Sequence, residues 1–562
     1  MVQSTRRQLF QLAGLTALGS QVLRLTPAHA AAGPPPPSFP PGIEVYRQAY
    51  ENWAGDVVAE AVWTCAPRTP AEVVAVADWA RTAGYRLRAR GMMHGWSPLT
   101  ITPGEDDASS VVLVDTTQHL TAVSVAGDTV TVQAGATMDR LLVVLEQHGR
   151  AFLHAPAPGD ITVGGALAID AHGTAVPAVG EARPAGATCG TLSNLVVSMT
   201  VVAWDAAEGR YALKTVQRAA PEAKALLVHL GRALVVDVTL RTTADVPLRC
   251  QSWVDIPAAE LFAAPGTAGA RTVASFLDSA GRMEVIWFPF TDTPWLKVWS
   301  VFPTRPFGSR AVTEPYNYPF SDNVPEELSD LGASLVSGNG AATPAFGRSM
   351  LEGVRLGLLA TQSADLWGPS RCTLLYVRPT TMRIHADGYA VMCRRADVQQ
   401  VIHDLCGKHA ELVAAAEERG EYPMNMPVEI RVTGLDDAAH VGVPGAEPPT
   451  LSACAPRPDH PEWDSVVWFD ALTFPGTPGA MAFLAELERW VLDHFSGWAG
   501  VRPEWSKGWG YTAAGAWRDD AFLDGLPARF PAGSYQSAVA SLDDLDPHRV
   551  FTNALVDRLL QA

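Results

Sequence analysis

The residues from Arg90 to Ser97 combine two glycines with a histidine in one short turn. Gly91 and Gly95 allow the backbone to turn tightly and to approach a ligand closely, and consecutive N–H groups in such a turn can bind an anion such as a pyrophosphate. His94 lies between them, so one of its ring nitrogens can reach the bound molecule. A turn histidine bonded only to the backbone is the alternative. The segment predicts a ligand site formed by Arg90, Gly91, Met92, Met93, His94, Gly95, Trp96 and Ser97.

A second glycine-rich loop follows at residues 156–174 and adds further backbone donors. Neither loop has the G-x-G-x-x-G or G-x-x-x-x-G-K-[ST] pattern of the common nucleotide-binding turns. His154 and His172 are rival histidines here, and we rank both below His94. From this second loop we expect ligand contacts by Thr162, Val163, Gly164, Gly165, Ala168 and Gly173.

Glu284 is a candidate general base because it lies inside an otherwise apolar strand-like run, residues 282–289. Burial against apolar neighbours would raise the pKa of its carboxyl group towards the working pH, which favours proton transfer. The alternative is a glutamate that points to solvent, since side chains alternate between the two faces of a strand.

Glu429 and Arg431 are two residues apart in a strand-like run and therefore share one face. A guanidinium group beside a reacting centre can stabilise developing negative charge, and a paired carboxylate can hold it in place. An exposed strand with a solvated ion pair would show the same pattern. Lys507, in a tryptophan-rich segment near the C-terminus, is a further catalytic candidate, with a surface lysine as the alternative. Asp470 is a weaker polar candidate in an apolar strand.

Helical and strand patterns alternate in the first half of the chain, and longer strands follow in the second half. The periodicity predicts a helix at 70–83 and strands at 111–115, 129–133, 195–204 and 233–241. Beyond residue 249 we expect strands at 283–289, 296–301 and 372–378. This order predicts an α+β fold of two domains, the second of which contains a large antiparallel sheet.

The chain start and the composition indicate where the protein works and what it binds. Arg6 and Arg7 precede a moderately apolar run and the sequence Ala28-His29-Ala30, which predicts a twin-arginine export signal over residues 1–30. We therefore expect a secreted or periplasmic protein that is exported in the folded state. The 59 acidic residues against 42 lysines and arginines argue against a nucleic-acid partner.

The seven cysteines are scattered and form no C-x-x-C pair, so we expect no metal centre. Because their number is odd, at least one thiol stays unpaired or pairs between chains. The sequence leaves any disulfide connectivity open.

The order and spacing of the two glycine-rich loops resemble the FAD domain of the vanillyl-alcohol-oxidase flavoprotein superfamily. There the first loop covers the pyrophosphate and its histidine often carries the flavin, so the resemblance implies FAD attached covalently through His94. No cysteine lies between Phe152 and Ala168, where bicovalent relatives place their second flavin bond, so a single attachment is expected. In these proteins the last segment returns to the FAD domain, which adds Asn553 to the cofactor-binding residues. The resemblance implies a FAD-binding domain at 31–246, a substrate-binding domain at 247–524 and a return segment at 525–562.

Within this superfamily the chain resembles the covalent-flavin (class II) cholesterol oxidases over nearly the whole mature sequence. Three segments carry the resemblance: residues 93–98, 282–289 and 428–432. It implies oxidation of a 3β-hydroxysterol by O₂, with isomerisation to the conjugated 4-en-3-one and H₂O₂ as a product. It also implies that Glu429 and Arg431 form an oxygen-access gate. The expected partners are the sterol and O₂, with at most transient contact with membrane surfaces during sterol extraction.

Two other functions stay open on the same scaffold. One is an alditol or aldonolactone oxidase, whose site would need several convergent polar groups to bind the many hydroxyl groups of its substrate. The other is a flavin- or ligand-binding protein that has lost catalysis and would bind its ligand without turnover. A flat apolar substrate is better matched by the many aromatic side chains of the second half, which include Trp253, Phe262, Trp287, Phe288, Phe290, Trp295, Trp299 and Phe302.

Overall fold

The computed structural model describes residues 35–103, 110–267, 269–318, 331–332, 334–335, 337–377 and 381–561. The predicted export signal at residues 1–30 lies outside these ranges. Within them, no helix combines the length and the hydrophobicity that crossing a bilayer requires.

The N-terminal half contains two larger sheets and one two-stranded sheet in the described part of the chain. The first has the order β1-β2-β4-β3, and β4 runs parallel to both β2 and β3; its strands are β1 (Glu44–Glu51), β2 (Val58–Ala66), β3 (Arg86–Arg90) and β4 (Val111–Asp115). The second is antiparallel with the order β5-β6-β10-β8-β9; its strands are β5 (Val123–Ala126), β6 (Thr129–Gln133), β8 (Val196–Asp205), β9 (Arg210–Gln217) and β10 (Leu234–Arg241). The short strands β7 (Arg150–Ala151) and β11 (Thr243–Ala244) pair with each other. The strands predicted in this half are confirmed.

The second half is built on a sheet of nine strands among the described residues, in the order β15-β16-β12-β14-β13-β18-β19-β17-β20. All neighbours are antiparallel except β15 and β16. The strands are β12 (Leu248–Trp253), β13 (Arg282–Trp287), β14 (Trp295–Val301), β15 (Arg310–Ala311), β16 (Asp365–Gly368), β17 (His385–Cys393), β18 (Val428–Gly434), β19 (Ser465–Thr473) and β20 (Gly500–Pro503). The predicted α+β fold with a large antiparallel sheet is confirmed.

The strand predicted at 372–378 is wrong, because Ser370–Leu374 is a short helix. The backbone N–H of Cys372 donates to the carbonyl of Pro369 and closes its first turn. A short apolar run does not distinguish a buried strand from a buried helix, so the local pattern was insufficient here.

The helices lie between and around the sheets. The predicted helix 70–83 is confirmed: Thr69 accepts a hydrogen bond from the N–H of Glu72 at its start, and Gly84 ends it with φ of 75°. The helices are α1 (Pro70–Ala83), α2 (Met138–Gln147), α3 (Val163–Ala168), α4 (Ala223–Leu226), α5 (Ala258–Leu261), α6 (Val273–Ala280), α7 (Thr343–Ala360), α8 (Ser370–Leu374), α9 (Val398–Glu418), α10 (Ala480–His494), α11 (Asp520–Gly525), α12 (Ser534–Leu545) and α13 (Ala554–Leu559).

The C-terminal residues contact the N-terminal half of the chain. Asp546 forms an ion pair with the buried Arg232, with 2.5 Å between Oδ2 and Nη1. Asn553 donates from Nδ2 to the carbonyls of Pro98 and Leu99, at 3.1 Å each. The chain end is therefore packed against the first glycine-rich loop, while the domain boundaries at 246 and 524 stay predictions.

All seven cysteines lie in the described residues, and each is a buried free thiol. The thiols therefore contribute to packing, and no disulfide cross-links this fold.

Candidate active site

A cavity lies where the two glycine-rich loops meet one face of the nine-stranded sheet. Most of the residues predicted from sequence share it: Arg90, Gly91, Met92, Met93, His94, Gly95, Trp96, Ser97, Thr162, Gly164, Gly165, Ala168, Glu429, Arg431 and Lys507 line its wall. Four predicted residues do not line it, namely Val163, Gly173, Glu284 and Asn553. Residues more than 400 positions apart in sequence thus meet around one space.

The first glycine-rich loop is fixed by contacts with the segment that follows β20. The N–H groups of Trp96 and Ser97 both donate to the carbonyl of Ser506, at 2.8 and 2.9 Å. The Lys507 ammonium lies 4.5 Å from the centre of the Trp96 ring. Within the loop, Met93 has a φ of 57°, a conformation that a residue with a side chain rarely adopts. The surroundings therefore determine the path of this loop.

His94 is held as a neutral ring at the cavity wall. Its imidazole stacks on Trp53 with ring centres 3.8 Å apart and planes 11° apart. Burial lowers the pKa of His94 to about 4, and the positive charges of Lys507 and Arg383 act in the same direction. Its Nε2 atom is buried and has no hydrogen-bond partner within the described residues. A neutral ring nitrogen without a partner is chemically suited to bind a group in the cavity.

The second glycine-rich loop packs directly against the first. Thr162 caps α3, since its hydroxyl accepts a hydrogen bond from the N–H of Gly165 at 3.2 Å. A Cβ atom at Gly91 would lie 2.4 Å from the same hydroxyl, so only glycine permits this approach. Val163 is buried in the core beneath the loop, and a Cβ atom at Gly173 would lie 2.4 Å from the carbonyl oxygen of Ala155. Both residues shape the loop from behind the cavity wall.

Three charged side chains form a row across the central strands of the sheet. Glu284 on β13 is in register with Lys297 on β14 and with Arg431 on β18. The Lys297 ammonium donates to Glu284 Oε2 at 2.8 Å, and Arg431 Nη2 lies 2.5 Å from Glu284 Oε1. Glu284 therefore bridges a fully buried lysine and an arginine of the cavity wall.

Further carboxylates extend this row towards Lys507. Arg431 Nη2 lies 2.6 Å from Glu429 Oε2, and Arg431 Nη1 lies 3.1 Å from Asp470 Oδ2. The same Asp470 oxygen accepts a hydrogen bond from the Lys507 ammonium at 2.9 Å, and Glu504 lies 3.7 Å from that ammonium. The predicted residues Glu429, Arg431 and Lys507 thus belong to one connected network of charges.

The expected rise in the pKa of Glu284 is wrong. Burial alone would raise it, but the positive charges of Lys297 and Arg431 outweigh that effect and hold the pKa below its ordinary value. Asp470 shows the opposite result: burial and the charge of Glu504 raise its pKa despite Lys507 and Arg431. Glu284 is therefore ionised, and Asp470 is a carboxyl group of the network whose pKa is raised.

Sequence reasoning missed three residues that complete the site: Trp53, Lys297 and Glu504. Lys297 carried a usable signal, because it is a charged residue inside the apolar strand β14. Glu504 lies three positions before Lys507, in the same tryptophan-rich segment near the C-terminus. Trp53 carried no local signal, since its role depends on a contact with a loop 41 residues later.

A family model of an FAD binding domain matches residues 63–206, which include both glycine-rich loops, so the chain is a flavin-dependent oxidoreductase. A second family model, described as cholesterol oxidase, substrate-binding, matches residues 247–561. The chain therefore belongs to the cholesterol oxidase family.

Solved structures support this assignment over almost the full chain. A solvent-stable cholesterol oxidase is 52% identical, covers 93% of this chain and 99% of its own, and superposes with a TM-score of 0.91. Cholesterol oxidase from B. sterolicum is 43% identical, with 94% and 100% coverage and the same TM-score of 0.91. These similarities support FAD-dependent sterol oxidation.

More distant proteins share less with this chain. A chitooligosaccharide oxidase is 11% identical with a TM-score of 0.53, covers 89% of this chain and 92% of its own, and shares the fold alone. A probable L-gulonolactone oxidase from Arabidopsis thaliana is 29% identical over 117 residues, which are 21% of this chain. The match spans 20% of that curated relative's length.

Proposed function

We propose that the chain oxidises a 3β-hydroxysterol with O₂ and isomerises the product to the conjugated 4-en-3-one, releasing H₂O₂. The observation that supports this most strongly is the family match over residues 247–561. The lining of the cavity also includes the apolar side chains of Met382, Ile384 and Leu472, which belong to one hydrophobic cluster. An apolar wall with a few polar groups suits a sterol better than a sugar with many hydroxyl groups.

We further propose that FAD is the cofactor and that it is attached covalently through His94. The residues fit the group. Nε2 of His94 is a buried ring nitrogen without a partner among the described residues. Gly91 approaches Thr162 so closely that no side chain fits between the two loops, and the backbone of both loops lines the cavity. When bound, FAD would supply the two-electron acceptor for oxidation of the carbinol and the means to return these electrons to O₂ as H₂O₂. Trp53 fixes the plane of the His94 ring by stacking.

The charged network supports distinct roles for its members. Arg431 and Lys507 line the cavity as cations, and such groups stabilise negative charge that develops on a reacting molecule. Glu429 also lines the cavity and holds Arg431, so it is placed both to orient the guanidinium and to move a proton during isomerisation. Because two cations lower the pKa of Glu284 and make it a weak base, and because it lies behind Arg431 and does not line the cavity, we assign it the positioning of Arg431 in place of the role of general base.

The function is tested by anaerobic bleaching of the flavin. Cholesterol is expected to bleach the yellow colour, while xylitol and a sugar lactone leave it unchanged, and air should then restore it with release of H₂O₂. Bleaching by xylitol or the lactone alone would assign the chain to carbohydrate alcohols. Binding of cholesterol without bleaching would indicate a carrier.

The export route belongs to the same proposal. The paired residues Arg6 and Arg7 and the cleavage-type sequence at 28–30 support export through the twin-arginine route. Replacement of both arginines by lysine is expected to leave the unprocessed protein in the cytoplasm. The comparison is made by following the mature form in the periplasm or medium.

A further inference from the structure

Lys297 is a buried cation in an aromatic enclosure behind the cavity wall. Its side chain is 1% exposed, and its ammonium lies 3.5 Å from the ring centre of Tyr376, 4.4 Å from that of Trp295 and 5.3 Å from that of Tyr318. Among the described residues, Glu284 is the carboxylate within ion-pair distance of it. Aromatic faces attract a desolvated ammonium, so the enclosure stabilises the charge that burial disfavours.

Glu284 connects the Lys297 ammonium to Arg431, which lines the cavity. One oxygen accepts from Lys297 and the other faces Arg431, while the Tyr376 hydroxyl also hydrogen-bonds the carboxylate. The other titratable groups around the pair are Glu429 and Asp470, which face Arg431, and Cys250 on β12, whose thiol contacts the Tyr318 hydroxyl and lies within electrostatic reach of Lys297 and Glu284. Lys297 and Arg431 are therefore the two cations that keep this buried carboxylate ionised.

We propose that Lys297 is a positioning residue for the reaction with O₂: its ammonium holds the Glu284 carboxylate in place, and Glu284 in turn fixes the Arg431 guanidinium at the cavity. The inference rests on the proposed function only through the role of Arg431. The contact itself is a property of the sheet, since β14, β13 and β18 place the three side chains in register. Without the ammonium, burial would favour a protonated Glu284, and Arg431 would turn towards Glu429 and Asp470.

The test uses Lys297→Met in the flavin-loaded enzyme, because methionine fills similar space without charge. The oxidative rate constant should acquire an acid limb that the wild type lacks. At pH values below the pKa of Glu284 in this variant, Glu284 is protonated and the rate constant falls by about tenfold or more. This is the factor expected for the loss of one charge-assisted hydrogen bond. Above that pKa the rate constant returns towards the wild-type value. Anaerobic flavin reduction by cholesterol should change less than the oxidative step.

A double variant identifies the group that titrates. In Lys297→Met/Glu284→Gln the acid limb should disappear, because the carboxyl group responsible for it is gone. Infrared spectra of the substrate-free holoenzyme give a readout that needs no turnover: Lys297→Met should show the carbonyl band of a protonated carboxyl group that the double variant lacks. Lys214→Met, which removes an exposed lysine paired with Glu222 on the protein surface, is the matched control and should leave the profile unchanged.

An oxidative pH profile and infrared spectrum of Lys297→Met equal to those of the wild type would overturn the proposal. If the methionine variant does not accumulate, Lys297→Gln replaces it, because glutamine loses the charge and keeps a donor for Glu284; a wild-type profile and spectrum there would overturn the proposal equally. Failure of cholesterol to bleach the wild-type flavin would instead refute the proposed substrate, while the infrared result would still decide the protonation of Glu284.

Discussion

The proposed attachment of FAD to His94 requires a neutral imidazole ring at this position. His94 is neutral because burial lowers its pKa to about 4, and its Nε2 atom has no partner among the described residues. A neutral imidazole has a free lone pair, which a covalent bond to a flavin requires. His154 is also buried and neutral, with a pKa lowered to about 3 by burial, but it accepts a hydrogen bond from the N–H of Gly173 at 3.2 Å and does not line the cavity.

The two histidines therefore form a matched pair of variants. In acid-precipitated wild type and in His154→Gln, the yellow colour should stay with the protein pellet. In His94→Ala it should move almost entirely to the supernatant, and anaerobic flavin reduction should be slower, because attachment through histidine raises the acceptor strength of the flavin. Pelleted colour in His94→Ala would show that another residue carries the flavin.

Glu284 gives a prediction for stability at low pH. Lys297 and Arg431 hold its pKa below the ordinary value in the folded protein. Its ionised form thus contributes stability above the unfolded-state pKa of about 4.3, and this contribution is lost as the pH falls towards the folded-state value. Glu284→Gln should be less stable at pH 7 by about 3–5 kcal/mol, the usual effect of breaking a buried ion pair. Its stability should also decline less than that of wild type between about pH 5 and 3.

Urea unfolding of both proteins across this pH range provides the measurement. Glu60→Gln, on the exposed face of β2, is a suitable control for the loss of one carboxylate. If the free energy of unfolding changed with pH in the same way for wild type and Glu284→Gln, the pKa of Glu284 would be the same in the folded and the unfolded protein, and the prediction would be wrong.

At the scale of elements, the site is produced by strand register. β14, β13, β18 and β19 are adjacent, and their pairing aligns Lys297, Glu284 and Arg431 in one row, with Glu429 opposite Asp470 in the next. Side chains in register on one face lie about 5 Å apart, which is close enough for long charged side chains to form ion pairs. A slip of one residue in β18 would turn both Glu429 and Arg431 away from the cavity.

The shared face of β18 predicts that Glu429 and Arg431 act as a unit. Arg431→Ala should slow the oxidative half-reaction by about 10²–10³-fold, the usual loss for one electrostatic stabiliser. Arg431→Lys should also be poor, since lysine lacks the planar fork that contacts Glu284, Glu429 and Asp470 together. Glu429→Gln should alter the dependence on O₂ concentration more than anaerobic flavin reduction.

The double variant Glu429→Gln/Arg431→Ala distinguishes a pair of residues that acts as a unit from two residues that act independently. Its loss should be smaller than the product of the two single losses, because both remove the same arrangement. Additive losses with an unchanged O₂ dependence would reduce the pair to an ordinary ion pair of a strand. Stopped-flow measurement of each half-reaction makes the comparison.

The same register explains what the sequence could and could not predict. Local patterns predicted most strands and α1, because apolar periodicity and capping residues are visible within ten or fifteen positions. They also placed Glu429 and Arg431 on one face. The pairing of Lys297 with Glu284 escaped prediction, because it lies across two neighbouring strands, and strand pairing is not encoded in the local pattern. The reversed pKa of Glu284 has the same origin, since its cause lies on the two neighbouring strands.

At the scale of the whole molecule, the wall of the cavity is held in place by parts of the chain that are far apart in sequence. The first glycine-rich loop is bound by Ser506, from the segment after the nine-stranded sheet, and by Asn553 near the C-terminus. Two distant segments therefore hold the loop that carries His94. We therefore expect formation of the cofactor site to depend on completion of the whole fold, which agrees with the proposed export of a folded, cofactor-loaded protein.

Asn553 allows this dependence to be measured, because it combines two functions in one side chain. Its oxygen caps α13 by accepting from the N–H of Val556, and its nitrogen donates to the carbonyls of Pro98 and Leu99. Asn553→Asp keeps the cap and loses both donors, which leaves two buried carbonyls facing a carboxylate. We expect a loss of stability of about 1–3 kcal/mol and a smaller flavin-loaded fraction in purified protein. Arg558→Ala, which removes an exposed ion pair from the same helix, should change neither quantity measurably. Unchanged flavin loading in Asn553→Asp would show that the cofactor site forms without the C-terminal contact.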